Sequence, residues 1–354
     1  MTATDKTETH SQHNNFDFLR ILAAIMVLFA HQFALMRQDA PVFFPVGFGE
    51  LGVAIFFSIS GFLVVKSWIN DPHIFRFIAR RFLRIWPALI VVTCLAALIL
   101  GPLVTKLTWS EYFHARETWS YFTTLRLNIQ FQLPGVFLTN PYPAAVDGSL
   151  WSIPLEVKWY WILLIGGVLR VLKYKWLILA IFVALGVYQF GIYHAETNPE
   201  PNYSREYGLY FTYGVCLYLF HSYWIQKKML GFVGVVVATC ALVADHHPTI
   251  ALLCALPYCV IMFGTLSTPV INRFGRFGDL SYGIYIYAFP VQQTIIWLNH
   301  GQYSLPVCMA LSLTCTVFFA FISWYVIEKP AMRCKPKARP AKIKANASSL
   351  AAIL

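Results

Sequence analysis

Residues 16 to 33, FDFLRILAAIMVLFAHQF, hold an arginine and a histidine inside a run otherwise apolar enough to cross a bilayer. Arg20 and His31 are eleven residues apart. In a helix that is close to three turns, so both side chains fall on one stripe, about 16 Å apart along the axis. An arginine at mid-membrane costs roughly 2.5 to 3.5 kcal/mol on an insertion scale and much less at the interface. Arg20 is therefore expected at a membrane face and His31 at depth, which makes the histidine the candidate for chemistry.

A second charged set lies in SLWSIPLEVKWYW, residues 149 to 161. Counted by the helical rise, Glu156 falls about 9 Å below an outer helix end at Leu150, and His31 about 8 Å below one near Met36. The two groups are expected at similar depth. Ser152 precedes Glu156 by one turn and faces the same way. A carboxylate beside an imidazole is an arrangement for general-base catalysis, the carboxylate orienting the ring and stabilising its cation. A structural ion pair is the other use of such charges, and Lys158 is the rival partner for Glu156, although at i+2 it points elsewhere.

The third set is WINDPHIFRFIARRFLRIWPAL, with Arg76, Arg80 and Arg84 spaced at four and Arg81 three residues before Arg84. Guanidinium forks on one helical face grip phosphates in bidentate fashion. The same cluster also serves as a topology signal.

Elements that position these residues must be membrane helices. With 354 residues, 58% hydrophobic and 12% charged, the chain has too little charge to cover a soluble domain of its size. Apolar runs of about twenty residues predict an all-α polytopic integral membrane protein. Ten spans are expected, at about 17 to 36, 47 to 66, 85 to 104, 150 to 169, 176 to 193, 206 to 222, 229 to 244, 250 to 267, 280 to 299 and 305 to 327. With the N-terminus inside, nineteen of the 27 Lys and Arg fall in cytoplasmic connections and the tail. The positive-inside rule then makes both termini cytoplasmic. Residues 1–15 are polar and lack the apolar core of a cleavable signal, so the first span is expected to be retained. Residues 16–330 form the expected membrane domain, and 331–354 a basic tail that contacts the leaflet and does not bind nucleic acid.

Other signals are weaker. Gly47, Gly49 and Gly52 formally spell a dinucleotide fingerprint, but no strand precedes them and they open a membrane helix. In GVAIFFSISGFLVV, Ser58, Ser60 and Gly61 are small residues suited to close helix packing. The longest exterior connection, about 105 to 149, carries Trp109, Tyr112, Trp119 and Tyr121, as an interfacial belt or a platform for sugar rings. Near the ninth span, Asp279 is expected at the inner face, and Tyr282 and Tyr285 share a stripe. His194, His221, His246 and His247 read as interfacial residues, and Asp245 to Pro248 lacks the cysteine of a palmitoyltransferase signature. The eight cysteines have no metal spacing, and no metal is expected.

Taken in order, these blocks resemble the acyltransferase family 3 membrane proteins over about residues 15 to 335. The arginine and histidine of the first span, separated by ten residues and preceded by Asp17, match the family hallmark, and Arg81 and Arg84 match its RxxR motif. GVAIFFSISGFL, SLWSIPLE, LSYGIYIYAFP and VIEKP are similar to its other recurring blocks. The chain departs from the pattern at Ala54, where many members are acidic, and at Ala288, where many have histidine.

The resemblance implies an acyl-CoA donor, acetyl-CoA, and a hydroxyl acceptor on a polysaccharide or lipid-linked sugar of the cell envelope, such as O-antigen or exopolysaccharide, at a bacterial inner membrane. Donor phosphates would meet Arg20, Arg81 and Arg84. The pantetheine arm would extend along the first span to His31 as general base, with Glu156 as orienter and Ser152 as hydrogen-bond partner. A covalent acyl-histidine is equally compatible with these residues. A transporter or flippase for an acyl group or glycan intermediate is the alternative, because intramembrane Arg, His and Glu also mark transport pathways.

Overall fold

The computed structural model describes residues 14–43, 45–198 and 200–336. Most of the polar N-terminal segment and of the basic tail therefore lies outside the described residues. Ten principal helices among the described residues overlap the expected spans: α1 Phe16–Leu35, α2 Phe48–Asn70, α3 Ile74–Leu95, α4 Ser152–Val168, α5 Lys175–Gly186, α6 Tyr203–Leu219, α7 Lys228–Ala244, α8 Pro248–Gly264, α9 Ser281–Leu298 and α10 Leu305–Ser323; α3 begins eleven residues before the expected third span and carries the arginine cluster within it. Helix α3 runs on through a wide turn at Ala96–Leu100 to Val104, and α5 and α10 are extended in the same way. Six of these helical stretches are long and apolar enough to cross a membrane: Phe16–Leu35, Phe48–Asn70, Ile74–Val104, Lys175–Ile192, His221–Ala244 and Leu305–Arg333. This is the architecture of a polytopic membrane protein.

The others, α4, α6, α8 and α9, are shorter or more polar because of where they pack. Helix α6 is buried almost continuously from Tyr207 to Leu217, and α9 from Gly283 to Pro290, whereas α7 buries none of its residues. A helix that touches lipid must be apolar on its outer face. One enclosed by other helices can carry hydroxyls and amides, provided they find partners.

Close approach at the centre is set by glycine. A Cβ on Gly61 would lie 1.9 Å from the Phe211 carbonyl oxygen, and one on Gly214 would lie 2.3 Å from that of Ser58. Helices α2 and α6 can therefore pack backbone to backbone, the use the sequence assigns to GVAIFFSISGFLVV.

The long connection from α3 to α4 is ordered. Thr108 and Glu111 form a capping box on the short helix Trp109–His114. Tyr112 and Tyr121 are buried among Ala97, Val136, Phe137 and Val146, and the Tyr112 hydroxyl donates to the Ala97 carbonyl at 2.8 Å. The segment is stapled to α9 by amides. Asn140 Nδ2 donates to Gln293 Oε1 at 2.8 Å, and Gln293 Nε2 donates to the Ala145 carbonyl at 2.7 Å. Trp109 and Trp119 remain exposed, so the four aromatics that suggest one platform divide into two core residues and two surface ones.

Candidate active site

Two cavities lie on opposite sides of one polar layer. The inner one, about 160 Å³, is lined by Arg20 of α1, Arg81 and Arg84 of α3, Glu156 of α4 and Asp279 ahead of α9. Helical spacing explains who points inward. Ser152, Glu156 and Tyr160 recur every fourth residue on α4 and all line the cavity, as do Arg81, Arg84 and Ile85 on α3. The other two arginines turn away, because Asp71, in the bend before α3, forms ion pairs with both Arg76 and Arg80. The Arg76 hydrogen bond leads in holding the Asp71 carboxyl down at about 2.

Asp279 gathers the remaining cations. Its Oδ2 accepts from Arg20 Nη1 at 3.1 Å and from Arg84 Nη2 at 2.7 Å. Burial alone would raise this carboxyl, but Arg84 and Arg20 overcome it and hold it at about 2. Arg81 is different. Among the described residues it has no carboxylate within ion-pair distance. Its guanidinium sits 5.6 Å from the Tyr160 ring centre, and its buried Nε meets no acceptor. Lys335, just beyond the last helical turn, also lines the cavity, and burial lowers its ammonium to about 8. A buried cation with spare donors is costly unless an anion completes it, so this chamber suits phosphate groups.

His31 lines the other cavity, of about 750 Å³, with Arg37, Phe131, Tyr142, Trp151 and Phe289. Its ring packs edge-on to Phe289 with centroids 5.3 Å apart. Aromatic faces do line this chamber, but they are Phe131, Tyr142 and Trp151 and not the four residues the connection advertises in sequence. Arg37 is tethered by its Nε to the Pro141 carbonyl at 3.0 Å and lies 5.2 Å from the Tyr142 ring centre.

The layer between the cavities is built by Tyr285, Ser152 and Ser149. The Tyr285 hydroxyl donates to the Ser149 carbonyl at 2.6 Å and lies 2.7 Å from Ser152 Oγ. A phenol has one proton, so Ser152 is the donor in the second bond. Ser149 Oγ in turn lies 3.5 Å from His31 Nδ1.

The residues singled out in sequence are thus divided. Arg20, Arg81, Arg84, Ser152 and Glu156 share the inner cavity, and His31 faces the outer one. Glu156 is not brought to His31. Its Oε1 accepts from Ser60 Oγ at 3.0 Å and from the Tyr160 hydroxyl, because the stripe it shares with Ser152 and Tyr160 faces inward. Lys158 points away from both, donating to Ser204 Oγ at 2.7 Å. Sequence reasoning missed Lys335, hidden in a tail that reads as topology signal. It also missed Tyr160 and Ser149, although both stand in the stretch quoted for Glu156.

Comparison with known proteins gives the family. Residues 13–328 match the model of the acyltransferase 3 family, described as an acyltransferase domain. The chain is 32% identical over 347 residues to the O-acetyl transferase of Shigella phage Sf6, covering 92% of this chain and 98% of that protein. It is 30% identical over 358 residues to nodulation protein 10 of Rhizobium leguminosarum bv. viciae, covering 91% and 94%. It is 26% identical over 328 residues to the peptidoglycan O-acetyltransferase OatA of Listeria monocytogenes, covering 78% of this chain and 49% of that one. No solved structure matches it. With the family matched along most of its length and its helices built to span a bilayer, the chain belongs to acyltransferase family 3 and is a multi-pass membrane acyltransferase.

Proposed function

We propose that this protein is an O-acetyltransferase of the bacterial inner membrane that moves an acetyl group from cytosolic acetyl-CoA to a hydroxyl of an envelope polysaccharide or lipid-linked sugar. The observation that carries the reading is the pair of cavities, one cationic and one holding His31, joined through the hydrogen bonds of Tyr285, Ser152 and Ser149. In this reading all ten helices cross the membrane and both termini are cytoplasmic, which the excess of Lys and Arg on that side supports.

The donor's phosphates bind Arg20, Arg81 and Arg84, with Lys335 at the mouth. Its pantetheine arm passes Tyr285, so that the thioester carbon comes within reach of an acceptor in the outer cavity. The neutral imidazole of His31 takes the acceptor's hydroxyl proton as the oxygen bonds to that carbon. The carbon–sulfur bond then breaks, and the CoA thiolate recovers the proton from the imidazolium. Ser152 holds the Tyr285 hydroxyl in the layer the arm must pass, and Glu156 orders Ser60 and Tyr160 on the donor side. Shigella phage Sf6 and Listeria relatives named for O-acetyl transfer support the acyl group, and the name of the Listeria protein supports a glycan acceptor.

Sidedness tests the reading. Inside-out membrane vesicles supplied with labelled acetyl-CoA should label envelope glycan, and sealed right-side-out vesicles should not. Equal labelling in both orientations would contradict a donor site on the cytoplasmic side.

A further inference from the structure

The transfer chemistry leaves one cation of the outer cavity without a task. Arg37 stands two residues beyond the end of α1 and lines the chamber that holds His31. Among the described residues it has no carboxylate within ion-pair distance, and none of the residues lining the chamber is acidic.

The guanidinium is held in place. Its Nε donates to the Pro141 carbonyl at 3.0 Å, and its Cζ lies 5.2 Å from the Tyr142 ring centre. The segment that offers both contacts is fixed in turn by the buried Gln293 of α9, which accepts from Asn140 Nδ2 and donates to the carbonyls of Tyr142 and Ala145 at 2.9 and 2.7 Å. With Nε–H engaged, the two terminal nitrogens are left. Together they form an edge that grips a carboxylate or a phosphate in bidentate fashion.

The backbone carries a second sign. Arg37 has φ +56°, and its N–H closes the end of α1 on the Ala34 carbonyl at 3.1 Å. Glycine is the ordinary residue in that conformation at a helix end. An arginine kept there points to a use for its side chain. Around it stand Phe131, Tyr142 and Trp151, aromatic surfaces for the apolar face of a sugar ring, and Gln132, an amide for its hydroxyls.

We propose that Arg37 binds an anionic group of the acceptor, either a sugar carboxylate or the phosphate of a lipid-linked sugar, and makes the outer cavity selective for a negatively charged glycan. The inference rests on the acetyltransferase reading, with the acceptor hydroxyl in the chamber of His31. Because Arg37 and His31 line one chamber, an acceptor anchored by its anion presents a hydroxyl of the same molecule to the imidazole.

The test uses the full chain in detergent-opened membranes with labelled acetyl-CoA and three acceptors prepared from the host: its lipid-linked glycan, that glycan with carboxylates converted to methylamides, and that glycan freed of its lipid phosphate by mild acid. For the intact glycan, Arg37→Ala should raise the acceptor KM roughly 10- to 100-fold and leave KM for acetyl-CoA within about twofold of wild type. Arg37→Gly should do the same. Glycine favours the backbone of that turn, so its loss of affinity would not come from a weakened helix end. Once the anion read by Arg37 is gone, wild type and variants should bind the acceptor equally, within about twofold, because no coupling is left to lose. Equality on the methylamides identifies a sugar carboxylate, and equality on the acid-treated glycan identifies the lipid phosphate. An unchanged acceptor KM in both variants, or a wild-type advantage that survives each neutralisation, would overturn the proposal. Wild type that labels none of the three acceptors defeats the acetyltransferase reading as well, whereas labelling with equal KM in wild type and both variants defeats the Arg37 assignment alone.

Discussion

The hydroxyls of Tyr285 and Ser152 lie 2.7 Å apart on the wall of the cationic chamber, and the same Tyr285 hydroxyl donates to the carbonyl of Ser149, whose own hydroxyl lies 3.5 Å from His31 Nδ1. A thioester that approaches from one side and a hydroxyl that approaches from the other can meet only where this layer yields. In the proposed reaction the layer would control access to the reacting group, and its hydrogen bonds hold Ser149 in place.

Tyr285→Phe removes the phenol that bonds both Ser149 and Ser152. Two net hydrogen bonds at about 1 kcal/mol each are lost, so the closed layer should open roughly 30-fold more often. CoA release measured with no glycan present should rise by about that factor. A rate equal to wild type would show that the layer is not a barrier.

Asp279 is the shared carboxylate of Arg20 and Arg84, and removing it leaves two buried guanidinium groups without it. Asp279→Ala should cost about 3 kcal/mol of stability, read as a lower thermal midpoint in detergent. Its carboxyl is held at about 2, below the unfolded value, so this stabilisation is fully present above about pH 4 and is lost as pH falls through about 2. Between pH 5 and 8 the difference between wild type and Asp279→Ala should be constant.

Lys335 sits beside Arg81 and Arg84 with its ammonium lowered to about 8 by burial. Donor binding should weaken as pH rises through that value, because a neutral amine no longer attracts phosphate. KM for acetyl-CoA should rise roughly threefold to tenfold across this range in wild type. Lys335→Ala should start from the higher KM and show no such rise.

Arg81 and Arg76 provide a contrast within one helix. Arg81 lines the inner cavity with no carboxylate within ion-pair distance among the described residues, whereas Arg76 is committed to Asp71. Arg81→Ala should raise KM for acetyl-CoA about tenfold or more, and Arg76→Ala should leave it within about twofold while lowering thermal stability. Equal effects on KM would mean that the arginine cluster acts only through its net charge.

Much of this arrangement is legible in the chain itself. Arg20 and His31 announce themselves because charge and imidazole are expensive in an apolar run, and the i, i+4 rule places Ser152, Glu156 and Tyr160 together. Depth counted from helix ends misleads for Glu156, since it gives height and not direction, and direction separates it from His31. The burial of Asp147 is illegible for a different reason. The residue stands in a turn-rich connection where an aspartate ordinarily meets water, and only the packing of Tyr121, Val146 and α9 around that segment buries it. Lys335 is missed because it follows the last helical turn in a basic stretch that reads as a topology signal, and only the packing of that turn brings it to the cavity of Arg81 and Arg84.

The central claim is that His31 performs the transfer chemistry. Membranes containing equal amounts of wild type or His31→Ala, given labelled acetyl-CoA and envelope polysaccharide, test it most directly. The account predicts glycan labelling by wild type and a loss of roughly 100-fold or more in the variant. Equal labelling by the two would remove His31 from the mechanism and contradict the account.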